Sequence, residues 1–166
     1  MINVSILGFG TVGSGVYQII NENNKELEAS TGRQIRVKSI LDNRKSINPD
    51  IAAILAEKFE DIENDEEVSV VVETIGGTEA AYDFVKRALL KGKNVVTSNK
   101  ALVEMYGSEL LRIAKEKNVA FLFEASVGGG IPLIRTIGDA FAGEVIKEIA
   151  ANQLIRGYLY SRKRLI

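Results

Sequence analysis

The chain contains no cysteine and no histidine. Without cysteine there are no disulfides, no thiolate metal sites and no thiol nucleophile. Without histidine a His-based zinc site is excluded. Proton transfer must then use Lys, Asp, Glu, Tyr or water, and a lysine in that role needs its pKa lowered by burial or neighbouring charge. An excess of one charge is also lacking. The 21 basic and 22 acidic side chains leave a formal charge of −1, so no basic surface argues for nucleic acid. No apolar run reaches the roughly 18 residues of a membrane span, and no charged-then-apolar leader is read. There is no internal repeat and no low-complexity linker. A cytoplasmic location is expected. The 166 residues, 46% of them hydrophobic, predict one domain, or one plus a fragment, with a sizeable core.

What is present starts at the second residue. Ile2, Val4, Ile6 and Leu7 form an apolar run, Gly8-Phe9-Gly10-Thr11-Val12-Gly13 follows, and Val16, Ile19 and Ile20 continue at helical spacing. This order is strand, glycine turn, helix. Gly8 allows the tight turn, Gly10 lets a pyrophosphate approach the backbone, and Gly13 lets helix and strand pack closely. The free N–H groups of the helix start then face the phosphates. The pattern predicts a dinucleotide site, against the plainer reading of a glycine-rich turn that binds nothing.

Strand and helix signals alternate after this. Strands are expected at 2–7, 35–41, 68–73, 95–97 and 119–123, with another beginning at 145–149. The valine-dense third strand is expected to be buried on both faces. Helices are expected at 12–29, from Asn48-Pro49 through Ile51–Phe59, at 79–91 with Thr78 as cap and Gly92 as stop, at 108–117 and at 131–141. Residues 61–67 read as an acidic loop. The order predicts an α/β fold: a Rossmann-type, doubly wound, mostly parallel sheet with helices on both faces.

Ligands of such sheets sit beyond the carboxyl ends of the strands. Asp42, Arg44 and Lys45 close the second strand. An acid there accepts ribose hydroxyls and favours NAD, whereas a base pairs with the 2′-phosphate of NADP, so the segment leaves both open with a lean to NAD. The separation from Gly13 to Asp42 exceeds the usual roughly 20 residues, and the long charged end of the first helix with its loop accounts for the excess. Thr74, Ile75 and Gly76 end the third strand, where paired glycines permit close approach. Thr97, Ser98, Asn99 and Lys100 end the fourth. A lysine directly after a buried strand lies where a nicotinamide would sit, and its ammonium could hold a substrate oxygen or help move a proton. The segment Glu124 to Pro132 carries three consecutive glycines. Its carbonyls with one carboxylate suit a hard cation such as sodium, and a flexible turn before a helix is the plainer reading.

Together the strings GFGTVG at 8–13, ETIGG at 73–77, VVTSNKAL at 95–102 and FEASVGGGIPLI at 123–134 resemble homoserine dehydrogenases, in the amino-terminal nucleotide-binding half of that family. The likeness covers about residues 1–149. It implies interconversion of aspartate semialdehyde and homoserine with NAD or NADP, on the route to threonine, methionine and isoleucine. It implies that Phe9 to Gly13 line the pyrophosphate, that Thr74, Ser98 and Asn99 lie near the nicotinamide half, and that Lys100 is the catalytic lysine touching cofactor and substrate. It also implies a monovalent cation held by Glu124 and the carbonyls of Val127, Gly129 and Ile131. Residues 150–166 do not match the family. The substrate domain is expected to be missing, and the chain to be catalytically incomplete alone. Homoserine or aspartate semialdehyde is then a partner only where that domain is supplied, and self-association is an open option. A non-catalytic nucleotide-binding module, a split subunit, or another amino-acid dehydrogenase of the same fold are the alternatives.

Overall fold

A computed structural model describes residues 1–44 and 48–140. Five strands form one parallel sheet: β1 (Ile2–Leu7), β2 (Ile35–Leu41), β3 (Val68–Glu73), β4 (Asn94–Thr97) and β5 (Phe121–Leu122), in the order β2-β1-β3-β4-β5. The helices are α1 (Thr11–Glu22), α2 (Asn24–Thr31), α3 (Pro49–Ala52), α4 (Phe59–Glu63), α5 (Glu79–Leu90), α6 (Lys100–Lys117), α7 (Glu124–Gly128) and α8 (Leu133–Ala140). The chain leaves β1 toward β2 on one side and returns to place β3 on the other. The strand order therefore reverses between β1 and β3, which opens a crevice at their carboxyl ends.

Successive side chains of a strand point to opposite faces, and the register joins them into two rows. One row runs Ser39, Ser5, Val71, Val95, Phe121. It lies under α5 and α6, whose Val85, Leu89, Leu102 and Leu110 share its core with Leu7. The other row runs Ile40, Ile6, Val72, Val96, Leu122. Val16, Tyr17 and Ile20 of α1 pack on its Ile40–Ile6 end. Helices thus cover both faces, but unequally.

Several boundaries differ from expectation. The first helix breaks at Asn23, which ends α1 and starts α2. The segment 51–59 is not one helix: α3 stops at Ala52, with the Asn48 side chain accepting from the Asp50 amide, and a new helix starts at Phe59 and takes up the first part of the supposed acidic loop. Arg87 explains that helix. It pairs with Glu60 and Glu63 and lies over the Phe59 ring, so these two acids are held against α5 while Asp61, Glu66 and Glu67 stay exposed as expected. Thr78 occupies the cap position of α5, yet its side chain makes no capping bond. The helix expected from Ser108 begins eight residues earlier at Lys100, because Asn99 caps it. The fifth strand shrinks to two residues. The third strand is not buried on both faces, since Val71 is buried while Val70 and Val72 are half-buried. The strand expected at 145–149 and the tail at 150–166 lie outside the described residues.

Candidate functional site

The glycine loop has the geometry its spacing implies. Gly8 sits at φ +89°, and a Cβ there would lie 2.7 Å from the Thr74 carbonyl oxygen. A Cβ on Gly13 would stand 2.0 Å from the Gly8 carbonyl oxygen. Both positions therefore require glycine, for conformation at the first and close approach at the second. Gly10 differs. A Cβ there would meet nothing within 4 Å, so the backbone faces open space. Gly10 is the N-cap of α1, makes no side-chain cap bond, and no acid lies in the first turn. Gly10, Thr11 and Val12 are exposed. The amides of this helix start are thus presented outward with the positive end of the helix dipole.

Phe9 is clamped from both sides. Its N–H donates to the Asp42 carboxylate at 2.5 Å, and its carbonyl accepts from the Arg44 guanidinium at 2.6 Å. Arg44 also pairs with Asp42 at 2.9 Å. The Arg44 guanidinium and the two backbone amides hold the Asp42 carboxyl well below the usual carboxylate range, at about 2. The segment after β2 therefore shapes the glycine loop as well as facing the crevice. Lys45 lies outside the described residues.

Beside this loop, Thr74, Gly76, Ser98, Asn99, Lys100 and Ala101 line a pocket of about 330 Å³. Thr74 donates its hydroxyl to the carbonyls of Leu7 and Gly8, which ties the pocket wall to the glycine turn. Ile75 is partly exposed beside it. The Asn99 side chain does two jobs: its oxygen accepts from the Leu102 amide and its nitrogen donates to the Gly77 carbonyl at 2.6 Å. Lys100 is exposed in the first turn of α6. A cation at that end opposes the helix dipole, which ordinarily draws basic residues to the other end. Lys115 and Lys117 show the ordinary placement in the last turn of the same helix. The structure moves Thr97 out of the pocket wall. It is buried, and its hydroxyl is committed to the carboxylate of Glu73.

Glu73 was missed as a site residue. It is fully buried at the end of the central strand. One carboxylate oxygen accepts from the Ile75 amide at 2.9 Å and the other from Thr97. The available signal was an acid closing a run of valines.

The Glu124 segment forms the one-turn helix α7 as far as Gly128, and residues 129–132 make the expected turn before α8. The Glu124 carboxylate accepts from the amides of Ile134 (2.7 Å) and Arg135 (3.1 Å), and the Ile131 carbonyl accepts from Leu133. Val127 is buried, Gly129 turns at φ +60°, and Ile131 is exposed. The four residues offer hard oxygens, the donor type such a cation takes. Two of those donors also serve the start of α8, each keeping lone pairs free. Among the described residues no three His, Cys, Asp or Glu cluster in a way that could hold a metal ion. No helix among them is long and apolar enough to cross a membrane.

An open glycine loop at the strand-order reversal of a parallel sheet, next to a polar pocket, defines a nucleotide-binding domain of the Rossmann type. Comparison with known proteins narrows this. Residues 8–124 match the family described as homoserine dehydrogenase, NAD binding domain. The chain is 39% identical over 153 residues to homoserine dehydrogenase of Neisseria gonorrhoeae, covering 90% of this chain and 35% of that protein. It is 40% identical over 151 residues to the enzyme of Bacillus subtilis, covering 89% and 35%. The crystal structure of a homoserine dehydrogenase from Thiobacillus denitrificans superposes with a TM-score of 0.76 at 39% identity, over 85% of this chain and 33% of that one. A hyperthermophilic archaeal homoserine dehydrogenase in complex with NADPH superposes with a TM-score of 0.66 at 27% identity, over 82% and 47%. The chain belongs to the homoserine dehydrogenase family, within its NAD-binding domain. It spans about a third of the length of the curated relatives it matches.

Proposed function

We propose that residues 1–149 are the NAD(P)-binding part of a cytoplasmic homoserine dehydrogenase that interconverts homoserine and aspartate semialdehyde. The observation that carries this reading is the Gly10 backbone, open to solvent at the uncapped start of α1. Gly8 to Gly13 take the pyrophosphate there, with outward amides supplying the donors. Asp42 lies on the adenosine side, where it accepts ribose hydroxyls, and Arg44 with Lys45 offers positive charge to a 2′-phosphate. NAD and NADP are read as alternatives at this one place. Thr74, Ile75, Gly76, Ser98 and Asn99 bound the nicotinamide end.

The bound nicotinamide supplies or accepts the hydride. The chain's own residues orient it and hold the reacting oxygen. Lys100 is the candidate catalytic residue: its exposed ammonium at the pocket rim can donate to a carbonyl or alkoxide oxygen. Turnover also needs the aldehyde carbon held in reacting geometry, which we assign to a substrate-binding region supplied by a longer protein or a partner chain. Sodium at Glu124 and the carbonyls of Val127, Gly129 and Ile131 belongs to the same reading as a structural cation.

The test is calorimetry or fluorescence titration of the folded chain with NADH and NADPH. Saturable binding is expected, and its absence at millimolar cofactor rejects the reading. In an enzyme reconstituted with a substrate domain, Lys100→Ala should keep cofactor affinity and lose nearly all turnover. A normal rate would remove Lys100 from the mechanism.

A further inference from the structure

Glu73 stands in the row Leu7, Glu73, Thr97, on the face covered by α5 and α6. An apolar side chain would suit such a position better, since burying a carboxylate is costly unless every acceptor is used. Here the acceptors are used, and the partners are informative. One oxygen takes the amide of Ile75, inside the turn that forms one pocket wall. The other takes the Thr97 hydroxyl. That hydroxyl has one proton, and giving it to Glu73 leaves its oxygen to accept from the Asn99 amide at 3.0 Å. Asn99 forms part of the opposite wall and reaches back to the Gly77 carbonyl. The bonds close a ring through Glu73, Thr97, Asn99, Gly77 and the turn at 74–77. Both walls of the pocket are therefore anchored on one buried carboxylate.

We propose that Glu73 is a positioning residue of this pocket, holding the 74–77 and 98–100 loops at the separation that admits a nicotinamide. This rests on reading the pocket as the nicotinamide end of a dinucleotide site. Glu73 does not touch the ligand. Its effect reaches the ligand through Ile75 on one side and through Thr97 and Asn99 on the other. The glycine loop that takes the pyrophosphate is clamped at Phe9 by Asp42 and Arg44, neither of which bonds to Glu73. Thr74, which links the loop to the pocket wall, is itself held by the Leu7 carbonyl and not by the Glu73 carboxylate. Disturbing Glu73 should therefore weaken the nicotinamide half and spare the adenosine-diphosphate half.

Two ligands separate the halves: NADH, followed by nicotinamide fluorescence, and ADP-ribose, followed by calorimetry, both on the full chain. In Glu73→Leu, which fills the space without acceptors, NADH affinity should fall about tenfold or more while ADP-ribose affinity stays within about twofold. Glu73→Gln keeps an acceptor for Ile75 and should fall between wild type and Glu73→Leu. Thr97→Val should reproduce the selective loss, and Thr97→Ser should restore wild-type behaviour. If Glu73→Leu does not fold, the Thr97→Val and Thr97→Ser pair decides. Equal loss of both ligands in folded variants, no loss of either, or wild-type affinity for NADH no greater than for ADP-ribose overturns the role of Glu73 and leaves the dinucleotide reading standing. A wild-type chain that binds neither ligand overturns both.

Discussion

The two faces of the sheet are built from the same five strands and end differently. On the face under α5 and α6, Val71 and Val95 are fully buried and Phe121 nearly so. On the other, burial fades along the row: Ile40 and Ile6 are inaccessible, Val72 and Val96 are half-buried, and Leu122 is 55% exposed. Among the described residues α1 covers the β2–β1 end of that face, and nothing comparable covers β3 to β5. The difference teaches where the core ends. Burial in this chain follows helix cover, and neighbours such as Val95 and Val96 have opposite fates.

The largest effect should come from the junction that brings α1 onto its face. Gly13→Ala places a Cβ 2.0 Å from the Gly8 carbonyl oxygen, and should cost about 3 kcal/mol in chemical denaturation. It should also abolish NADH binding, because the loop must open to admit the methyl group. Ile6→Ala, at the covered end of the second row, should cost about the same. Within β4 the contrast sharpens: Val95→Ala should cost about 2 kcal/mol and Val96→Ala under about 1. Equal losses at 95 and 96 would show that the second face is covered in solution, and the comparison would fall. Leu122→Ala should change stability by less than about 0.5 kcal/mol.

A last effect concerns pH. The Asp42 carboxyl is held at about 2 in the folded chain, below the ordinary 3.8. Its contribution is therefore complete above the ordinary carboxylate range and is lost as pH falls through about 2. Comparing thermal unfolding of the wild type with Asp42→Asn should show a gap of roughly 2 °C near neutrality. The gap should narrow between pH 4 and pH 2, and one that widens there would contradict the clamp.

The fold could be read from residue order because each strand announces itself locally. Ile2 to Leu7 and Val68 to Glu73 are β-rich runs closed by glycine loops. The glycine loop could be read because steric demand at Gly8 and Gly13 is itself a local matter. What escaped was decided by partners distant along the chain. Phe59 begins a helix because Arg87 gathers Glu60 and Glu63. Thr97 turns away from the pocket because Glu73, 24 residues earlier, takes its hydroxyl. Val72 stays half-buried at the edge of the cluster that α1 covers. The early start of α6 was a missed local signal, since Asn99 precedes Leu102 and Val103 at helical spacing and caps the helix.

The grip of Arg44 on the Phe9 carbonyl has a consequence for engineering. The side chain we propose to face a 2′-phosphate is also a strut of the glycine loop. Selectivity and preorganisation are thus mechanically joined. On that reading, a swap at position 44 made to retune preference should loosen the glycine loop as well, unless a second change re-secures Phe9.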